Sequence, residues 1–144
     1  MLDIKLIREN PALVKKNLQR RGDPRYLQML DELIEYDRQW RENLTKLNGL
    51  RHERRQITTE IAALKKKDGN ATKEIEKGKT IDAGITLLER HVTEDEQKIR
   101  YYLMRLPNLL HESVPIGKDE DDNVKTKIWG KIPKFSFAPK GHIE

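Results

Sequence analysis

Seven cations crowd one stretch of this sequence, and their spacing limits what they can do. Lys65, Lys66 and Lys67 are consecutive, and Lys73 and Lys77 follow. Arg51 and Arg55 stand four apart, on one face of any helix that holds them. Lysine is a flexible point charge, suited to phosphate oxygens and not to reading base edges. The set is therefore expected to bind a polyanion, with RNA first, although charged helix faces are often simply solvated. No aromatic residue lies between Trp40 and Tyr101, so this stretch offers no stacking platform for single-stranded bases. Structured RNA, read through its backbone and shape, is the expected form.

Other chemistry is poorly provided for. His52, His91, His111 and His142 do not share metal-ligand spacing. The acidic run at residues 119–122 lacks the ligand spacing and glycine of a calcium loop. Ser113 lies near His111, but no third member and no oxyanion site accompany them. There is no phosphate-cradling glycine-rich loop. The chain has no cysteine, which excludes disulfides and thiolate zinc sites. By its residues alone this is a binding element without catalytic, cofactor or metal sites.

Two long helices must carry the cations. Leu33, Asp37, Trp40, Leu44 and Leu47 step by 4, 3, 4 and 3, and Leu50, Arg54, Ile57, Ile61 and Leu64 repeat the pattern. The join from Leu47 to Leu50 adds a step of 3, a stammer that overwinds a coiled coil locally. Ile81, Ile85, Leu88, Val92, Asp95, Ile99, Tyr102 and Leu106 form a second seam. The seams meet if the chain folds back at Asp68-Gly69-Asn70. Leu64 then pairs near Ile75 and Leu33 near Leu106, both pairs of numbers summing to 139. About 40 residues per helix gives an arm on the order of 60 Å long, too long for a compact domain of this size.

Composition agrees. Apolar residues make up 35% of the chain and charged residues 37%, too little for a large globular core but enough for a two-helix seam. Of the net charge of +5, the outer half of the arm holds most: residues 44–80 carry 10 basic and 5 acidic side chains, and residues 81–123 reverse those numbers. No run of about 20 apolar residues exists to span a membrane, and the start lacks a secretory core, so a cytoplasmic location is expected.

Local signals complete the outline. Asp3 caps a first turn over residues 4–8, and Asn10-Pro11 starts a helix over residues 11–21 with Leu13, Val14 and Leu18 on its apolar face. Gly22 ends it, and the helix packs at the base of the arm. Asp23-Pro24 starts the outgoing helix. Asp37, Arg54 and Asp95 interrupt the seams, fixing register or lying half-exposed; Asp37 is expected opposite Tyr102 and Arg54 opposite about position 85. Gly69 supplies the tight turn, and Asn70 takes a left-handed conformation or caps the return helix. Gly78 and Gly84 weaken that helix, so the tip is expected to be its least stable part. Leu106-Pro107 ends it. A turn-rich linker over residues 107–117, an acidic loop over 118–123 and a strand over 124–129 follow, with Phe135 and Phe137 alternating beyond.

The fold expected is all-α: a long antiparallel two-helix coiled-coil hairpin with a short helical base and a short β/irregular C-terminal linker. Residues 1–22 make the base, residues 23–107 the arm with its tip near 66–72, and residues 108–144 the linker and the start of a further domain.

The linker carries a resemblance. Leu106-Pro107-Asn108, His111, Ser113-Val114-Pro115, Gly117, Asp119-Glu120 and Asp122-Asn123 resemble the segment that joins the N-terminal arm of seryl-tRNA synthetases to their class II catalytic domain. The opening from Met1 to Pro11, Lys15 through Arg21-Gly22, and Leu50-Arg51-His52-Glu53-Arg54-Arg55 are similar to further family motifs, with Gln56 where the family often has Asn. Gly130, Pro133, Phe135, Phe137, Pro139 and His142 resemble the entry to the catalytic domain. The likeness is to the common, bacterial-like form.

The resemblance implies an arm that binds the long variable arm and elbow of serine tRNA, extending to selenocysteine tRNA. It also implies a homodimeric parent in which one subunit's arm guides the acceptor end into the other's active site. ATP and Mg belong to the parent's catalytic domain, whose motifs lie beyond Glu144. This portion is expected to be an excised N-terminal part, inactive in serine activation. Arg51, Arg55, Lys65, Lys66, Lys67, Lys73 and Lys77 are the expected phosphate contacts, on charge and position alone. The rival reading is a stand-alone coiled-coil adaptor that binds protein.

Overall fold

The computed structural model describes residues 2–67, 69–117, 119–131 and 133–142. Met1, the tip residue Asp68, Lys118 of the acidic loop, and Ile143 and Glu144 were part of the expectations above and lie outside the described residues. The chain forms two compact units, Met1–His111 and Glu112–Glu144.

The first unit holds four helices. Asp3 accepts from the Lys5 amide at 2.8 Å and opens α1, Ile4–Glu9. Asn10 accepts from the Leu13 amide at 3.2 Å, and Pro11 stands at the first turn of α2, Pro11–Gln19. Gly22 follows with φ +70°, the left-handed conformation that stops the helix without a Cβ penalty. Asp23 accepts from the Arg25 amide at 2.9 Å and opens α3, Pro24–Lys66, 43 residues long. The return helix α4, Thr72–Leu103, has 32 residues.

The helices α3 and α4 pack on each other along the expected seam. The positions of both seams are buried or half-buried, except that Ile75, expected beside Leu64, is exposed at 37%. Full burial concentrates at the base, where Leu2, Ile7, Val14, Leu18, Leu30, Leu33 and Leu106 form the core. Short α1 and α2 could not persist alone, and this core is what holds them. Leu13 departs from the reading: it is 45% exposed, because Val14 and Leu18 already fill the contact with α3.

Near the base the register is the expected one within a residue. The rings of Tyr36 and Tyr102 stack with centroids 5.9 Å apart, and the Asn43 amide donates to Asp95 at 2.9 Å. The Tyr102 hydroxyl also hydrogen-bonds Glu32, which pushes its pKa up to about 12. Towards the tip side chains reach to both sides of that register: Arg51 meets Glu89, Arg54 meets Asp82, and Leu50 lies against Gly84.

The polar seam residues find partners that spacing did not identify. Arg8 of α1 forks onto both carboxylate oxygens of Asp37, with its Nε at 3.1 and 3.0 Å, and Arg41 adds a contact at 3.0 Å. At the tip, Gly69 is not left-handed. Its amide donates to the Leu64 carbonyl at 3.0 Å, and a Cβ would sit 3.2 Å from that same oxygen, so glycine serves close approach there. Asn70 accepts from the Thr72 amide at 2.9 Å and from its hydroxyl at 2.6 Å, one residue ahead of the N-cap; the cap position itself is Ala71, which offers no side-chain acceptor, so Asn70 is not the cap expected of it.

The second unit contains one 3-10 turn, Glu120–Asp122, capped by Asp119. The strand expected over residues 124–129 is absent, and no strand occurs among the described residues. A strand needs a ladder partner, and none is present to satisfy its backbone. Its apolar side chains stay in solvent, Trp129 at 92% exposure.

Candidate nucleic-acid interface

The seven expected cations fall into two groups on the outer arm. Lys65 and Lys66 close the last turn of α3, and the Lys67 amide caps it by donating to the carbonyls of Leu64 and Lys65. Lys73 and Lys77 belong to the opening turns of α4. All five lysines are exposed, and none makes an ion pair among the described residues. Lys73 sits at the positive end of its helix macrodipole, where helix stability does not favour a cation. A bound polyanion would relieve that repulsion.

The second group lies about 15 Å further down α3, by helix rise. There Asn48, Arg51, Arg54, Arg55 and, from α4, Ile85 line an open groove of about 570 Å³. Arg51 reaches Glu89 across the hairpin at 2.8 Å, and Arg55 donates to the Arg51 carbonyl at 3.3 Å. Arg54 binds Asp82 at 2.6 Å and the Thr58 hydroxyl at 2.6 Å. The Arg54–Asp82 hydrogen bond raises the guanidinium pKa and lowers that of the carboxyl. Arg54 was read as a seam residue; the structure gives its guanidinium to the groove as well. The available signal was its place three residues after Arg51 and four before Thr58, on the edge of the same face.

At the base the sign reverses. Gln28, Asp31, Glu32, Glu35, Tyr36 and Gln39 line another groove of about 570 Å³. Hydrogen bonds from Arg38 and Gln39 hold the Glu35 carboxyl down at about 2. The carboxylates of this groove oppose a polyanion, whereas the arginines of the outer groove attract one. Among the described residues no three His, Asp or Glu side chains gather as metal ligands. No helix is long and apolar enough to cross a membrane.

The sequence profile of the seryl-tRNA synthetase N-terminal domain matches residues 1–110, a span that takes in all four helices and the hairpin they build. The chain belongs to the seryl-tRNA synthetase N-terminal domain family. Serine–tRNA ligase of Pyrococcus horikoshii is 47% identical over 144 residues, which is 100% of this chain and 31% of that protein. The enzyme of Thermococcus onnurineus is 50% identical over 131 residues, covering 91% and 29%, and that of Thermotoga neapolitana is 44% identical over 144, covering 99% and 33%. A crystal structure of seryl-tRNA synthetase from Pyrococcus horikoshii complexed with ATP superposes with a TM-score of 0.82 at 48% identity, over 90% of this chain and 29% of that one. The chain thus spans about 30% of the length of the serine–tRNA ligases it matches.

Proposed function

We propose that this chain is the tRNA-binding arm of a serine–tRNA ligase of the common form, and that it docks the long variable arm and elbow of serine tRNA. In this reading residues 1–22 set the base, residues 23–107 form the lever, and residues 108–144 lead to the catalytic domain. The observation that carries it is a cluster of exposed lysines, without ion pairs among the described residues, near the tip of a two-helix arm of this family. Such a tip attracts A-form RNA through its phosphates, with Lys65, Lys66, Lys67, Lys73 and Lys77 as contacts and Arg51 and Arg55 behind them.

ATP and Mg act in the remainder of the parent enzyme, where serine is activated. The parent works as a cytoplasmic homodimer, with the arm presenting the acceptor end to the partner's active site. Selenocysteine tRNA, which shares a long variable arm, is a second substrate.

Filter binding tests the reading. Serine tRNA should bind more tightly than a tRNA with a short variable arm. Replacing Lys65, Lys66 and Lys67 with alanine should weaken binding and flatten its salt dependence by roughly two to three phosphate equivalents. Equal binding of both RNAs, or an unchanged slope, would refute the docking mode. Retention of a protein partner with no RNA binding would point to the adaptor instead.

A further inference from the structure

The seam has a flank that continues the cationic tip inwards. The residue after each seam position from Leu47 to Leu64 reads Asn48, Arg51, Arg55, Thr58, Ala62 and Lys65. These steps of 3, 4, 3, 4 and 3 keep one edge of α3 in line, beside the groove between the helices. Small side chains, Thr58 and Ala62, separate the arginine groove from the terminal lysine, leaving room for a nucleic-acid backbone to lie close. The corresponding edge of α4 carries Asp82 and Glu89, which now occupy Arg54 and Arg51.

The two cationic groups therefore differ in state. Among the described residues the tip lysines make no ion pair, whereas two of the three arginines are held by carboxylates. Those pairs are solvated: Arg51 and Glu89 are 49% and 48% exposed, and Asp82 is 52% exposed. Such pairs are weak, so a phosphate can exchange for them. Guanidinium forks suit phosphate oxygens as well as they suit carboxylates.

We infer that Arg51, Arg54 and Arg55 form a second seat for the RNA backbone, and that Asp82 and Glu89 are its exchangeable counter-ions, placed to restrain it. The inference rests on the tRNA-binding reading and adds a selectivity device to it. The tip captures any RNA helix. The inner seat opens only for a helix long enough to stay on the tip while lying along the flank, because only then does the added contact offset the loss of two ion pairs. A long variable arm meets that condition and a short one does not.

The test neutralises the counter-ions in this chain and measures binding of serine tRNA and of a tRNA with a short variable arm. The variant Asp82→Asn/Glu89→Gln should bind serine tRNA roughly three- to tenfold tighter and gain more for the short-armed tRNA, narrowing the discrimination between them. Glu94→Gln/Glu96→Gln removes the same charge from the same helix, including one carboxylate paired with Arg90, and should gain distinctly less. Arg54→Gln should reduce the gain in the neutralised background. Circular dichroism melts confirm that each variant is folded at the binding temperature. Equal gains in the two double variants, or no gain in either, would overturn the restraint while leaving the tip's role intact. Absence of serine-tRNA binding by the unaltered chain would instead overturn the reading on which it rests.

Discussion

Asp37 is a carboxylate with 4% of its side chain exposed, lying in a mostly apolar seam. It is tolerated there because Arg8 and Arg41 between them supply four hydrogen bonds to its two oxygens. Replacing it by asparagine keeps the shape but removes the charge facing two guanidinium groups. The expected cost is about 1–3 kcal/mol in denaturant unfolding, moderated because Arg8 is partly solvated. The pair also explains a limit of reading by spacing. That Asp37 interrupts the seam is visible in the chain, but its partner is 29 residues away on another helix. Spacing reports neighbours within an element; Arg8 is placed by the docking of α1. Arg54 carries the same lesson, since its partner Asp82 depends on how far α4 slides along α3.

Where the signal is local, the reading and the structure agree. Asp3, Asn10 and Asp23 each cap the helix expected of them, because the side chain, the amide it receives and the following turn all lie within three residues. Glycine shows how far that locality extends. Gly49 is exposed within α3 and a Cβ there would meet nothing within 4 Å. Gly49→Ala should therefore stabilise the arm by about 0.5–1 kcal/mol, seen as a higher Tm. Gly22 also has open space, yet its φ of +70° makes Gly22→Ala destabilising by about 1 kcal/mol, with a lower Tm. Gly69 had the right role for a different reason: a Cβ there would sit only 3.2 Å from the carbonyl oxygen of Leu64, a tight approach. The strand over residues 124–129 failed because alternation describes a side-chain pattern, whereas a strand also requires a partner for its backbone.

The two units of the chain differ in how they treat apolar surface. Met1–His111 buries its leucines at the base, whereas Glu112–Glu144 leaves Ile116, Ile128, Trp129 and Phe137 largely in solvent. The two tryptophans report on this separately. Acrylamide should quench Trp129 strongly and Trp40, half-buried in the seam, much less; Trp129→Phe should remove the readily quenched emission. Comparable quenching of both would show that the second unit shelters its ring. In the first unit, the side chain of Asn17 donates to the Leu110 carbonyl and accepts from the Leu110 amide, each at 2.8 Å, across 93 residues of sequence. Leu106 closes the base core over Val14 and Leu18 in the same neighbourhood. On the ribosome, then, α1 and α2 emerge first and still wait for their final neighbours until the chain has been synthesised past Leu110. Contacts beside the bend close short loops, whereas those that seat α1 and α2 close the longest loops in the first unit and should be the slower to form.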